Sequence, residues 1–163
     1  MLIPSTQHIA ELHVWDTLGQ EKFKSLAPIF FRKSAAALLV YDVTDKDSFL
    51  ALSGWKEQIK NNSQENIVVI LVGNKVDLPN KVITNEMGSN YAKENGWLFM
   101  EVSAKADINI KSAFLSLTSS VYTAITGEVS KPTQENFETN RGESISLHQK
   151  KATEEKKKKD CKC

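Results

Sequence analysis

The stretch from which the fold of this chain is predicted is Leu12-His13-Val14-Trp15-Asp16-Thr17-Leu18-Gly19-Gln20-Glu21. Apolar and polar residues alternate from Ile9 onward, and the run from Leu12 to Trp15 predicts a buried strand that ends at Asp16. Polar residues that follow a parallel strand lie at the edge of the sheet where ligands bind. The stretch therefore predicts both a strand and part of a site.

Three residues after this predicted strand have the chemistry of a Mg²⁺–phosphate site. Asp16 suits Mg²⁺ binding through the water shell of the metal, because Mg²⁺ takes few carboxylates and keeps several waters. Gly19 has no Cβ, so its N–H can approach a terminal phosphate closely, and Gln20 is suited to orient an attacking water. The same letters also make an ordinary strand-ending turn, and alone they leave both interpretations open.

The composition is typical of a soluble domain with a tail. The 163 residues are 40% hydrophobic and 25% charged, and the net charge is +1, which gives no reason to predict a nucleic acid as partner. No apolar run approaches the length of about 18 residues that predicts a membrane span. The N-terminus lacks a secretory signal pattern, and the two cysteines, Cys161 and Cys163, lie too far along the chain to cross-link a core. We expect a cytosolic chain.

Strands and helices alternate after residue 34. Continuous apolar runs predict buried strands over residues 35–41, 67–72 and 97–102. Apolar side chains at helical spacing predict helices over residues 45–61, 85–95 and 107–127. Gly54 costs the first helix about 1 kcal/mol relative to Ala and is predicted to mark close packing. The alternation predicts an α/β fold of three layers, a mostly parallel sheet with flanking helices.

The residues that follow the third and fourth predicted strands suit recognition of a guanine base. Guanine presents N1–H and a 2-amino group side by side, and the carboxylate of Asp77 can accept both hydrogen bonds. Lys75 can lay its aliphatic stem along the base, and Asn74 can tie its loop to neighbouring backbone. Ser103-Ala104-Lys105 follows the next strand and suits an N–H donor to the guanine O6. Each motif alone also makes an ordinary turn, whereas the set at successive strand ends favours a nucleotide site.

Four motifs together resemble the small GTPases of the Ras superfamily: Trp15-Asp16-Thr17-x-Gly19-Gln20-Glu21, Tyr41-Asp42-Val43-Thr44, Gly73-Asn74-Lys75-x-Asp77-Leu78 and Glu101-x-Ser103-Ala104-Lys105. The Cys161-Lys162-Cys163 end resembles the Rab branch, whose members carry two prenyl groups there.

The resemblance implies a P-loop GTPase-like fold that binds GTP or GDP with Mg²⁺ and works as a switch in vesicle traffic. It implies that Asp16 holds Mg²⁺ through water and Gly19 contacts the terminal phosphate, while Gln20 positions the attacking water. It implies guanine binding by Asn74, Lys75 and Asp77, with base support from Ser103, Ala104 and Lys105. Effector and regulator proteins would bind residues 20–34, the second switch, where Phe23, Phe30 and Phe31 either pack onto the core or face a partner.

The sequence also departs from the family pattern. It contains no G-x-x-x-x-G-K-[ST] motif for the phosphates and no first switch, and Leu18 stands where the family has alanine. In the family the first strand lies between the strands here at 12–16 and 36–42, and each buried backbone group left unpaired costs about 1–3 kcal/mol. We expect an incomplete gene model or a shortened form that folds poorly and binds GTP weakly or not at all.

The predicted domain spans residues 1–127, and residues 128–163 are predicted to be a disordered tail because apolar side chains are sparse there. Two prenyl groups on Cys161 and Cys163, with the lysines around residues 156–159, would anchor the chain stably. The lysines alone are equally typical of a solvated chain end. The resemblance places the protein in the cytosol and on the cytoplasmic face of intracellular membranes. The alternative function is that of a membrane-anchored interaction protein that binds partners without nucleotide.

Overall fold

A computed structural model of the chain describes residues 1–3, 6–17, 30–64 and 66–128. Three strands form a sheet in these residues: β1 (Ala36–Asp42), β2 (Val68–Asn74) and β3 (Leu98–Glu101). Their order is β1-β2-β3, and both pairs are parallel. Ala36 lies opposite Val68 and Asp42 lies opposite Asn74, so β1 and β2 end level with each other. The three strands confirm the prediction of a parallel sheet and match the predicted runs to within a residue or two.

Four helices connect and flank the strands: α1 (Lys46–Leu50), α2 (Leu52–Asn62), α3 (Asn85–Glu94) and α4 (Ile110–Thr126). The side chain of Asp45 caps α1 by accepting from the N–H of Asp47, and Thr84 caps α3 by accepting from the N–H of Met87. Gly127 ends α4 in a left-handed conformation, with φ of 72°. Glycine adopts this conformation without a steric penalty, which is why it is common just past helix ends.

The two faces of the sheet pack against different helices. Successive side chains of a strand point to opposite faces, and in β2 this alternation divides the core. One face carries Val69 and Leu71, which belong to a cluster with Leu52 and Ile59 of α2 and Ala92 of α3. The other face carries Ile70 and Val72, which pack with Ala113 and Leu117 of α4. The sheet between two layers of helices is the predicted three-layer α/β fold.

The strand predicted over residues 9–16 does not form. Ile9 makes an isolated antiparallel bridge with Leu2, and residues 10–17 have no strand pairing. The side chains of Val14 and Trp15 are 70% and 69% exposed. A strand needs a ladder partner for its backbone groups, and the described sheet offers no neighbour to this segment. The sequence has the alternating pattern of a strand, but the described residues contain no neighbouring strand with which this segment pairs.

Three smaller expectations were also wrong. The first predicted helix is divided at Ala51 into α1 and α2, and a Cβ added at Gly54 would meet nothing within 4 Å, so this glycine does not mark close packing. The last helix begins at Ile110 rather than Asp107, because Asp107 and Asn109 have φ of 55° and 59° in a turn closed by a bridge between Ser103 and Ile108. No helix in the described ranges is both long enough and apolar enough to span a bilayer.

The segment before β1 is described only from residue 30. Phe31 is 9% exposed and belongs to the core cluster, so this aromatic packs inward. Phe30 contacts the ring of Trp15 at 5.8 Å between centroids. Phe23 and most of the predicted partner-binding segment 20–34 lie outside the described residues, as does the predicted tail beyond Glu128.

Candidate functional site

Polar side chains meet at the carboxyl edge of the sheet. Asp42 ends β1, Asn74 ends β2, and Ser103 follows β3 by two residues. The carboxyl edge of a parallel sheet is where α/β proteins bind their ligands. The parallel pairing therefore brings residues far apart in sequence to one place, as the sequence predicted.

Asp77 is held by the hydroxyl of Ser103. Ser103 Oγ donates to Asp77 Oδ1 at 2.6 Å across 26 residues of sequence. The same Ser103 oxygen accepts from the N–H of Ala106 at 2.9 Å. Ser103 is 0% exposed, whereas Asp77 is exposed. A buried hydroxyl that both donates and accepts thus fixes one oxygen of an exposed carboxylate.

Asn74 ties the two loops of the site together. Its side-chain oxygen accepts from the N–H of Lys75 at 2.8 Å and from the N–H of Ala104 at 3.1 Å. The backbone adds a second link, because the N–H of Val76 donates to the carbonyl of Val102 at 3.2 Å. The loop after β2 and the loop after β3 are therefore positioned by each other, as expected for Asn74.

The charges at the site favour ionised groups. The hydrogen bond from Ser103 is the main reason that the pKa of Asp77 lies below its ordinary value, and the positive charges of Lys105 and Lys75 act in the same direction. The carboxylate of Asp42 raises the pKa of Lys75 by a hydrogen bond and by its charge. Near neutral pH the site accordingly presents an anionic Asp77 and a cationic Lys75.

Gly73 leaves room for a buried aromatic under the site. A Cβ at Gly73 would lie 2.8 Å from Tyr41 Oη and 3.1 Å from a methyl of Val43. Tyr41 is 2% exposed, and burial raises the pKa of its hydroxyl, with Glu101 as the second cause. Tyr41 Oη and Glu101 Oε1 are buried without a hydrogen-bond partner among the described residues. The glycine before Asn74 is therefore required by packing.

Of the predicted phosphate and metal residues, the described part of the chain includes only Asp16, and it does not join this cluster. Asp16 lies exposed in the segment without strand pairing, and in the described ranges no hydrogen bond or ion pair joins it to Asn74, Lys75 or Asp77. The described residues contain no group of three or more His, Cys, Asp or Glu side chains suited to a metal ion. Gly19, Gln20, Cys161 and Cys163 lie outside the described residues.

Two residues of the site had no role assigned from the sequence. Asp42 forms an ion pair with Lys75, 2.5 Å between Oδ2 and Nζ, and Thr44 donates two hydrogen bonds to the same carboxylate. The sequence could have indicated Asp42 as a site residue, because Asp42 follows a predicted strand in the same way as Asn74. The partner of Asp42 depends on the register between strands, which spacing along one strand does not reveal.

The fold and the site together define an α/β protein of the P-loop GTPase type. A model of the Ras family matches residues 3–123, which is most of the 163-residue chain. The chain belongs to the Ras family. The family match supports small GTPase function in general, with a guanine nucleotide as ligand.

Proposed function

We propose that this chain is a Rab-like small GTPase that binds GDP and GTP through Asn74, Lys75 and Asp77 and acts in vesicle traffic. The observation that carries the proposal is the hydrogen bond from buried Ser103 to exposed Asp77. It holds an ionised carboxylate at the sheet edge before any ligand arrives. Binding is tighter when the groups that contact a ligand are already ordered.

The geometry of Asp77 fits guanine better than adenine. A carboxylate oxygen has two lone pairs, so Oδ1 can accept from Ser103 and from the base at once. Oδ1 and Oδ2 together match the adjacent N1–H and 2-amino donors of guanine. Adenine has no such pair of donors and would leave the carboxylate unpaired. A site built to hydrogen-bond a particular group discriminates against a ligand that lacks this group, because the hydrogen bonds are then not made.

The remaining parts of the proposal come from the resemblance. Asp16, Gly19 and Gln20 would act on Mg²⁺, the terminal phosphate and the attacking water, and Ala104 would donate its N–H to the base. Prenyl groups on Cys161 and Cys163 would attach the chain to the cytoplasmic face of a membrane, because two lipid chains anchor stably where one does not. Effectors would bind through residues 20–34. Supporting evidence for this part is the sequence motifs.

Base preference tests the nucleotide site. We expect the purified chain, titrated with GDP, ADP and xanthosine diphosphate, to prefer GDP. Asp77→Asn should shift the preference toward xanthosine diphosphate, because xanthine has a carbonyl where guanine has its 2-amino group. Asp107→Asn is the matched control, since Asp107 is an exposed aspartate in the neighbouring turn and asparagine tolerates its positive φ.

The outcomes of this titration are distinct. Equal binding of the three nucleotides by the wild type, or an unchanged preference in Asp77→Asn, would contradict the role of Asp77. No binding of GDP at any accessible concentration would contradict nucleotide binding by this chain. The titration should extend to low millimolar GDP, because the sequence contains no G-x-x-x-x-G-K-[ST] motif for the phosphates.

The second candidate function is an interaction protein that works without nucleotide. The observation that favours it is the exposure of Val14 and Trp15, two large apolar side chains in a segment outside the sheet. Exposed apolar clusters often mark binding surfaces for other proteins. Partner capture that is equal with and without added GDP, and is lost in Trp15→Ala, would support this candidate. Capture that requires GTP would support the switch.

A further inference from the structure

Lys75 is held at both ends by groups from two different strands. Its N–H donates to Asn74 Oδ1 at 2.8 Å, and its backbone adopts a φ of 68°. Its ammonium group lies 2.5 Å from Asp42 Oδ2 at the end of β1. The aliphatic stem therefore spans from the end of β2 to the end of β1. We infer that Asp42 is a positioning residue that holds the stem of Lys75 ready for the face of the guanine base. This inference rests on the proposed function.

The carboxylate of Asp42 is itself fixed. Its Oδ1 accepts from Thr44 twice, from the N–H at 2.8 Å and from the hydroxyl at 2.7 Å. Its backbone N–H donates to Ser48 Oγ at 3.0 Å. Oδ1 of Asp42 thus interacts with Thr44, and Oδ2 interacts with Lys75. The Asp42 side chain is 18% exposed against 54% for Lys75, so a sheltered anchor holds a more accessible lysine.

The electrostatics of the pair agree with its geometry. Partial burial acts to raise the pKa of Asp42, but the hydrogen bonds from Lys75 and Thr44 outweigh it and the pKa lies below its ordinary value. Lys75 has its pKa raised mainly by Asp42. Both groups remain charged at neutral pH, so the contact persists in solution conditions where a nucleotide would bind.

An ordered lysine stem improves binding by packing on the face of the base, whereas Asp77 forms hydrogen bonds with its edge. A lysine side chain has many rotamers, and a free one must be immobilised when a base packs on it. The ion pair with Asp42 orders the stem beforehand. Because the stem contacts the face of any purine and not its edge, Asp42 should affect affinity without changing which base is preferred. Asp77, at the edge of the base, should instead determine which base is preferred.

The test is a titration of wild type, Asp42→Asn, Lys75→Met and the double variant with GDP and xanthosine diphosphate. Asparagine keeps an oxygen for Thr44 but removes the charge that attracts Lys75. We expect Asp42→Asn to weaken GDP binding about threefold to tenfold, the effect of immobilising one long side chain. The ratio of GDP to xanthosine diphosphate affinity should not change. In the Lys75→Met background the same change at position 42 should have no further effect.

Asp45→Asn is the matched control. Asp45 is exposed and contributes to the electrostatic field at Lys75 without being its ion-pair partner, and asparagine caps helices as well as aspartate does. An equal loss of GDP affinity in Asp45→Asn would show a general charge effect and overturn the inference. So would unchanged affinity in Asp42→Asn, or a loss that persists in full with Lys75→Met.

A second measurement separates this inference from the proposed function. NMR of the Lys75 ammonium reports its pKa, which should fall toward the ordinary lysine value in Asp42→Asn and fall less in Asp45→Asn, because Asp42 is the larger cause of the raised pKa. If the wild type binds GDP and only the Asp42 variants fail to behave as expected, positioning by Asp42 is wrong and guanine binding stands. If the wild type binds no GDP, both are wrong, even where NMR shows the ion pair.

Discussion

At the scale of single residues, Ser103 links the stability of the protein to its candidate site. Its hydroxyl donates to Asp77 and accepts from Ala106, and no part of the residue is exposed. A buried hydroxyl with both a donor and an acceptor role is costly to remove, because its former partners are left unpaired. The same hydrogen bond determines where Asp77 titrates. In Ser103→Ala we therefore predict a change in the free energy of unfolding and a change in the pKa of Asp77.

We predict that Ser103→Ala destabilises the fold by about 1–3 kcal/mol, because the N–H of Ala106 loses its acceptor. Urea unfolding monitored by circular dichroism measures the change. Ser53→Ala is the control, since Ser53 is exposed on α2 and donates only to the carbonyl of Leu50. Its effect should stay within about 0.5 kcal/mol. Similar values for the two variants would contradict the role given to Ser103.

The pKa of Asp77 gives a prediction about pH. Its value in the folded state lies below the ordinary 3.8, so the carboxylate favours the folded state above pH 3.8 and this contribution is lost as the pH falls through the lower, folded value. We expect the Asp77 carboxyl carbon to titrate by NMR below 3.8 in the wild type. In Ser103→Ala its midpoint should rise toward 3.8, because the largest cause of the shift is gone. A midpoint at or above 3.8 in the wild type would contradict this.

The site residues show what sequence alone can predict. Asn74, Asp77 and Ser103 were predicted because each follows an apolar run, and the ends of parallel strands meet in space. The ion pair of Asp42 and Lys75 was not predicted, since it depends on which residues of two strands lie opposite each other. The interaction of Asp77 with Ser103, across 26 residues, was likewise beyond the pattern of either loop. The sequence predicts which side chains lie at the sheet edge, whereas the register between the strands determines which of them contact each other.

At the scale of secondary-structure elements, two glycines in helices have opposite surroundings. A Cβ at Gly88 in α3 would lie 2.6 and 2.7 Å from atoms of the Phe99 ring and would also meet Tyr41 Oη. The helix approaches the sheet closely at that point. A Cβ at Gly54 in α2 would meet nothing within 4 Å. Only the first glycine is required by packing, although both stand inside helices.

We predict that the two alanine substitutions change the free energy of unfolding in opposite directions. Gly88→Ala should destabilise by about 1–3 kcal/mol because buried aromatic rings must shift. Gly54→Ala should stabilise by up to about 1 kcal/mol because alanine favours the helix. Urea unfolding of the two variants side by side measures both. Equal effects would mean that α3 does not pack on Phe99 as described. The sequence could not separate these glycines, because the difference lies in what faces them.

The segment of residues 9–16 marks the limit of pattern-based prediction at this scale. Its alternation is that of a strand, and the strands over 36–42, 68–74 and 98–101 form where similar patterns predicted them. The difference is the availability of a neighbour. Each of those three pairs with another strand of the sheet, whereas residues 10–17 pair with none in the described part of the chain. A periodic sequence specifies which face of a strand is apolar, but it does not show whether a neighbouring strand is available for pairing.

At the scale of the whole described domain, β1 is an edge of the sheet. The hydrogen bonds from Val68 N to Ala35 O and from Val43 N to Asn74 O belong to its ladder with β2. In a parallel ladder alternate residues bond to the neighbour, so odd-numbered residues of β1 face β2. The backbone groups of Ala36, Leu38 and Val40 consequently point away from the sheet. None of these three residues is charged, and uncharged edges invite pairing with another strand.

The last prediction follows from this edge. A second copy of the chain presents the same apolar edge, so we expect the purified protein to associate with itself in a concentration-dependent manner. Val40→Lys should reduce the association, since a charged edge strand resists pairing. Val82→Lys is the matched control, because Val40 and Val82 are both 52% exposed and Val82 lies outside the sheet. Light scattering after size exclusion, over a range of concentrations, measures the mass of each variant. A monomeric wild type at every concentration, or equal effects of the two lysines, would show that this edge does not pair between copies.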